Sequence, residues 1–203
     1  MGSEMCIRDR FNTSDLTATS ASDYVAGAFE FSNDGGASWI AAANGNEVTI
    51  AANATSILIR FATQQDNVLE STETLQVSVD SVVSGTVGDF SDTAIGTIND
   101  DDTAVASIVA NDSDAGEPGN DGQFTITLSN PSDTDTTIAY TISGSADSGT
   151  DFSSLSGTIT LTAGQTSAVI DVSVLDDAIS EGDEEVTLTL DSITNGDLSL
   201  IHI

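Results

Sequence analysis

The chain has 203 residues, with 33 Asp and Glu against three Arg and no Lys, giving a formal net charge of -30. A surface of that sign repels phosphate backbones and anionic lipid, which excludes nucleic acid as a partner and membrane insertion as a mode of action. The single Cys excludes a disulfide framework, and no apolar run approaches the length needed to cross a bilayer. Yet 38% of the residues are hydrophobic and they alternate with polar ones, the pattern of packed strands rather than of an acidic disordered chain.

In chain order, the first ten residues, MGSEMCIRDR, carry two of the three Arg and the only Cys, with no apolar core of a signal peptide. Together with the closing residues 199–203, they resemble translated adapter sequence. Both are set aside from the fold, and Cys6 and His202 are not read as a catalytic pair. Asp23-Tyr24 is an acid beside an aromatic. Strands are then expected at Val48–Ile50, Ile57–Phe61, Leu75–Val79 and Ala94–Ile98. After Asn99 and the run Asp100, Asp101 and Asp102, further strands are expected at Val105–Val109, Phe124–Leu128, Ile138–Ile142, Thr158–Thr162, Val172–Val174 and Val186–Leu190. Each alternates an apolar face with Thr or Ser, and Asn, Asp and Gly clusters such as Asn33–Gly36 and Asn120–Gly122 separate them as turns.

Residues 48–85 align without a gap on 159–196 at an offset of 111. The identities include Thr49/Thr160, Ala52/Ala163, Ile59/Ile170, Asp66/Asp177, Glu70/Glu181, Glu73/Glu184 and Gly85/Gly196. Two related domains in tandem follow, and short alternating strands over roughly 100 residues each predict an all-β chain of two immunoglobulin-like Greek-key β-sandwiches. The expected organisation is a foreign-looking leader at 1–10, a first domain at 11–102 without room for its two opening strands, a second at 103–198 without its closing strand, and a foreign-looking tail at 199–203.

The repeated acids carry the chemistry. Asp66, Glu70 and Glu73 recur as Asp177, Glu181 and Glu184, with Asp176 beside them, and Asp151-Phe152 repeats Asp23-Tyr24. Loops at one end of a sandwich converge. Two like charges about 4 Å apart cost on the order of 4 kcal/mol at an effective dielectric near 20. Four or five such acids need a counter-cation or large pKa shifts, and Arg60 is the sole cation between residues 11 and 198. Calcium fits all-oxygen donors with loose geometry. Zinc and copper lack His and Cys partners, and magnesium ranks second. A solvated acidic rim is the alternative, with even standing for Asp100–Asp102 alone. Asp34 and Asp121 read as turn residues.

The run GTDFSSLSGTITLTAGQTSAVIDVSVLDDAISEGDEEVTLTL (149–190) resembles a Calx-beta domain, and QQDNVLESTETL (64–75) is its counterpart in the first repeat. The resemblance implies calcium ligands at Glu117, Asp151, Asp176, Asp177, Glu181 and Glu184, with a carbonyl from Ile179. In the first domain it implies Asp23, Asp66, Glu70, Glu73 and Asp100 to Asp102. Gln65 departs from the family pattern by replacing the first Asp of the pair. The segment 29–50 is similar to variants from giant bacterial adhesins.

The resemblance further implies a non-enzymatic, structural and adhesive module at a cell surface or outside the cell. Neighbouring repeats of the same parent chain would be its partners, and host or surface glycans and proteins its targets. The competing reading is a carbohydrate-binding accessory module of a secreted enzyme, with Trp39 and Tyr24 touching sugar. A glycosidase carboxylate pair is rejected, because the repeated acids follow end loops and no cleft is implied.

Overall fold

The structure is a computed structural model that describes residues 7–51, 54–84, 92–195 and 201–202. Cys6, most of the leader and tail, and the repeat pairs that involve Ala52, Gly85 and Gly196 fall outside those residues. The described chain is all β and divides into two compact units: Met1–Asp66 with Thr72–Asn99, and Asn67–Ser71 with Asp100–Ile203.

In the first unit, β1 (Ile7–Asp15), β4 (Glu47–Ile50), β6 (Glu73–Ser84) and β7 (Thr93–Ile98) form one sheet in the order β4-β1-β6-β7. A second sheet, β3-β2-β5, is made by β2 (Ala28–Ser32), β3 (Ile40–Ala43) and β5 (Leu58–Arg60). In the second unit, β10 (Thr136–Gly144), β11 (Thr158–Leu161) and β13 (Val186–Asn195) give the sheet β11-β10-β13. Opposite it stands β12-β9-β8-β14, from β8 (Ala104–Asp112), β9 (Gly122–Leu128), β12 (Ser167–Val172) and β14 (Ile201–His202). Period-two alternation places the core. Leu188 and Leu190 are buried while Thr187 and Thr189 are exposed, and they join Ile126, Leu128, Ile138, Tyr140, Leu161 and Ile170 in one cluster. Burying each such aliphatic side chain contributes about 1.5–3 kcal/mol before the chain-entropy cost is counted.

The 111-residue offset holds in three dimensions: β4 corresponds to β11, β5 to β12 and β6 to β13. It also shows how the first unit closes without strands equivalent to β8 and β9. There, β5 pairs with β2, and β2 with β3, just as β12 pairs with β9, and β9 with β8. Phe29 and Phe31 of β2 bury against Phe11 and Val48, with the Phe11 and Phe29 rings edge-on at 6.4 Å. The hairpin at 28–43 therefore does the work of the two opening strands, with its turn built by Asp34, which accepts from Ser32 Oγ, Ser38 N and Ser38 Oγ. Those bonds hold its carboxyl well below the usual carboxylate range.

β1 begins at Ile7, so residues 7–10 of the leader pair with β4 and β6. Their alternation points Asp9 and Phe11 inward. Asp9 is 7% exposed, its Oδ1 has no hydrogen-bond partner among the described residues, and burial raises its pKa. The folded state therefore holds this proton more tightly than the unfolded chain, and its stability falls as pH rises through that interval. We predict that Asp9→Val stabilises the protein by about 1–3 kcal/mol at pH 7, the range for a buried unsatisfied polar group. The gain should shrink toward about pH 4, where the carboxyl is increasingly protonated. Chemical denaturation at both pH values checks this.

Candidate metal centres

The acid–aromatic pair is built alike in both units. The aromatic ring is the anchor, with Tyr24 1% and Phe152 2% exposed. Around it the main chain is pinned by matching bonds. Gln64 N donates to Asp23 O at 2.9 Å, as Leu175 N does to Asp151 O at 2.9 Å, and Tyr24 bridges to Thr63 as Phe152 does to Val174. The carboxylates are then aimed by their own turns: Asp23 Oδ2 accepts from Thr19 N and Asp151 Oδ2 from Asp147 N, both at 2.5 Å. Gly144 makes the second turn possible. At φ +134, a Cβ there would sit 1.9 Å from Glu185 O, the carbonyl that accepts from Ser145 N and Ala146 N.

In the second unit, Asp151, Glu181 and Glu184 offer carboxylate oxygens all within 4.8 Å of one another. Desolvation raises the Glu181 pKa first, followed by the charges of Asp151, Asp177, Glu117 and Asp147. Glu184 is raised chiefly by sharing a hydrogen bond with Asp151, then by desolvation and by the charges of Asp151, Glu181 and Asp147. Glu117, Asp151, Asp177 and Glu184 thus each interact with Glu181, which joins five of the predicted ligands. Asp176 does not figure among these interactions. Ile179 is 64% exposed, and its N–H donates to Asp177 Oδ1 at 2.6 Å, which shapes the loop. Asp147 was missed by the sequence reading, although its four-residue spacing from Asp151 is the turn signal that would have found it. Asp121 serves the turn, accepting from Val174 N at 2.9 Å.

In the first unit, Asp23 and Glu73 bring carboxylate oxygens within 4.8 Å of each other. Asp23 is 6% exposed, and its Oδ1 has no hydrogen-bond partner among the described residues. A buried carboxylate oxygen left this way calls for a cation or a proton. Asp66 is exposed and outside that group. Glu70 lies in the Asn67–Ser71 stretch, which packs with the second unit: Leu69 is 3% exposed, and its N–H donates to Pro131 O at 2.9 Å. There Glu70 N donates to Asp100 Oδ2 at 3.2 Å. Asp100 Oδ1 accepts from Asp102 N at 3.1 Å, and Asp100, Asp101 and Asp102 form a further group within 4.8 Å.

The arginines are engaged elsewhere. Arg8 and Arg10 pair with Glu47, and Arg60 with Glu30 at 2.6 Å. Arg60 also lies over the Trp39 ring at 4.1 Å. That covers one face of Trp39, and the burial of Tyr24 corrects the expectation that its ring would touch sugar. Tyr24 instead donates its hydroxyl to Asp15, and burial together with that carboxylate pushes its pKa up to about 12.

These are all-oxygen donor groups at loops of immunoglobulin-like sandwiches, suited to a hard divalent cation. A family model described as the Calx-beta domain matches residues 2–42, 34–102 and 100–201, and the chain belongs to the Calx-beta domain family. Among solved structures, it is similar to CBD12 from CALX1.2 (12% identity, 97% of this chain and 71% of that chain covered, TM-score 0.37). It is also similar to the calcium binding domain CBD12 of CALX1.1 (14% identity, 92% and 68% covered, TM-score 0.33). No curated protein matches the chain.

The raised carboxyls carry a sign that can be checked. Without metal, Glu181 and Glu184 bind protons more tightly folded than unfolded, so their charges destabilise the fold increasingly as pH rises above the ordinary carboxylate range. We predict that the double variant Glu181→Gln, Glu184→Gln melts higher than the parent in EDTA at neutral pH. With millimolar calcium the order reverses, as read by thermal unfolding.

Proposed function

We propose that this chain is a calcium-binding structural module of a secreted or cell-surface repeat protein, with an adhesive parent, whose bound calcium stiffens the junction between successive domains. The observation that carries this reading is the convergence of Asp151, Glu181 and Glu184, with Asp177 and Glu117 acting on the Glu181 carboxyl. Asp23, whose Oδ1 has no hydrogen-bond partner among the described residues, supplies the counterpart in the first repeat. Calcium would be held by Asp151, Glu181 and Glu184 in the second unit, with Asp177 and Glu117 at hand, and by Asp23 and Glu73 in the first. Membership of the Calx-beta family supports the choice of ion.

The rigid junction follows from chain connectivity. The last stretch of the first unit ends at Asn99 and the main stretch of the second begins at Asp100, so the Asp100–Asp102 acids lie where the chain passes from one to the other. Three charges there repel one another when bare and are drawn together by a shared cation. Extracellular modules of this kind bind with dissociation constants of roughly 10⁻⁴–10⁻³ M, which surrounding millimolar calcium fills substantially. The role assigned to the acids is mechanical rather than catalytic, and the partners are adjoining repeats and surface ligands.

Calcium titration by calorimetry on the full chain, paired with small-angle scattering, tests this. Saturable binding is expected, weakened at least tenfold by Asp151→Asn, together with a broader distribution of interdomain distances in EDTA. Absence of binding, or identical scattering with and without EDTA, would contradict the proposal.

A further inference from the structure

The turn that carries the ligand acid has the same main-chain bonds in both repeats but is held by different means. Ala21 N donates to Tyr24 O at 3.0 Å and Asp23 N to Thr19 O at 3.0 Å. Likewise Gly149 N donates to Phe152 O at 2.7 Å and Asp151 N to Asp147 O at 2.9 Å. Ser20 bridges to Tyr24 as Ser148 does to Phe152. The matching residues Ala21 and Gly149 both have a left-handed backbone, with φ +82 and +89. Glycine adopts that conformation freely, whereas a Cβ makes it costly. Among the described residues, Ala21 is the only non-glycine residue with a positive φ. The first repeat therefore holds its ligand turn under a strain that the second avoids.

The approach to the turn shows what holds it. Asp15 pairs with Leu75 and Gly144 with Val186, and the offset of 111 takes Leu75 to Val186. Asp15 thus stands where the second repeat has Gly144. Thr74 O accepts from Thr17 N and Ala18 N at 3.1 and 2.9 Å, as Glu185 O does from Ser145 N and Ala146 N at 3.0 and 3.2 Å. Ser145 follows Gly144 directly, whereas Leu16 comes between Asp15 and Thr17. That inserted residue lengthens the path, and a side chain is admitted at Asp15 where a Cβ on Gly144 would meet Glu185 O at 1.9 Å. The side chain is used. Asp15 Oδ1 accepts from Ser20 N at 3.2 Å and from the Tyr24 hydroxyl, and Asp15 Oδ2 accepts from Ser20 Oγ at 3.2 Å. The Tyr24 ring is fixed in the buried cluster with Ala18 and Leu75, so one carboxylate ties the strained segment to the core. Phe152 has no hydroxyl and Gly144 no side chain, and the second repeat makes no such tie.

We propose that Asp15 is a positioning residue for the first calcium centre, clamping the strained turn that aims the Asp23 carboxylate. Its oxygens grip Ser20 and Tyr24 on either side of Ala21. That grip keeps Thr19 N on Asp23 Oδ2 and leaves Asp23 Oδ1 to the ion, with Glu73 close by. The inference rests on the calcium reading above, since it assigns a role in preparing that site. A turn fixed before the ion arrives loses less freedom on binding, so the clamp raises affinity without touching the metal. Gly149 needs no clamp, and the two centres therefore depend on different supporting residues.

Calcium titration of the full chain by calorimetry follows the first centre once Glu181→Gln and Glu184→Gln have disabled the trio in the second unit. Backbone amide shifts at Ser20–Tyr24 assign the binding to this turn. In that background Asp15→Ala should weaken binding at least fivefold, and Tyr24→Phe, which keeps the Asp15 charge, at least threefold. Adding Ala21→Gly to Asp15→Ala should restore affinity to within twofold of the background, because the strain that the clamp opposes is gone. Unchanged affinity in both Asp15→Ala and Tyr24→Phe would overturn the proposal. So would a loss in Asp15→Ala that Ala21→Gly fails to restore, since Asp15 would then act through its charge. Amide hydrogen exchange in EDTA judges the clamp without the ion: it should quicken at least tenfold at Ala21–Tyr24 in Asp15→Ala, and unchanged exchange would overturn the clamp. Quickened exchange in a protein whose turn never responds to calcium would support the clamp and overturn the calcium reading of this centre, separating the two ideas.

Discussion

Carboxylates held within 4.8 Å of one another on fixed turns are the constraint on which the rest of this molecule depends. Like charges at that distance repel by a few kcal/mol even at a protein-surface dielectric of about 20. The fold nevertheless brings them together with its stiffest local devices. A buried ring sits next to each acid, the same main-chain bond of 2.9 Å holds both pairs, and a glycine gives the carbonyl of Glu185 its approach. Strain of this kind, repeated in two domains, belongs to function rather than to folding. The bare chain carries a liability that one divalent ion per group would turn into a cross-link.

The β framework tolerates that liability because its core is independent of it. The buried cluster of the second unit, from Ile126 and Ile138 to Leu161 and Leu190, takes its members from strand interiors, whereas the acids sit on the connecting turns and at strand ends. The first unit shows how far the framework can be altered. It builds its second sheet from the 28–43 hairpin, in which Phe31 pairs with Ile59 as Phe124 pairs with Ile170 in the other repeat. What stays constant between the units is the acid–aromatic turn, with its buried ring and matching main-chain bond.

Much of this was legible in the sequence. Alternation fixed the strands, since Val186–Leu190 and Phe124–Leu128 can bury one face only as β structure, and the offset of 111 singled out the repeated acids before any geometry was known. Sheet membership was not legible, because local pattern marks a strand without saying which neighbour it takes. The hairpin standing in for two opening strands therefore went unread. Asp9 was hidden for another reason: the first ten residues were set aside as foreign to the fold, yet Ile7–Arg10 belong to β1. Asp147 escaped because it contributes through a turn rather than through a repeated motif. The Asn67–Ser71 stretch, contiguous in sequence with the first domain, packs with the second unit through Leu69, a nonlocal outcome that composition does not encode.

The central claim is that these acids demand a divalent ion and not merely a saltier solvent. Thermal unfolding of the full chain should be followed at fixed ionic strength while sodium is exchanged for calcium, with magnesium in parallel. The account predicts a large rise in melting temperature at low millimolar calcium, a smaller one with magnesium, and little from sodium at the same ionic strength. Equal stabilisation by all three would show simple screening of a highly charged surface, and would contradict it.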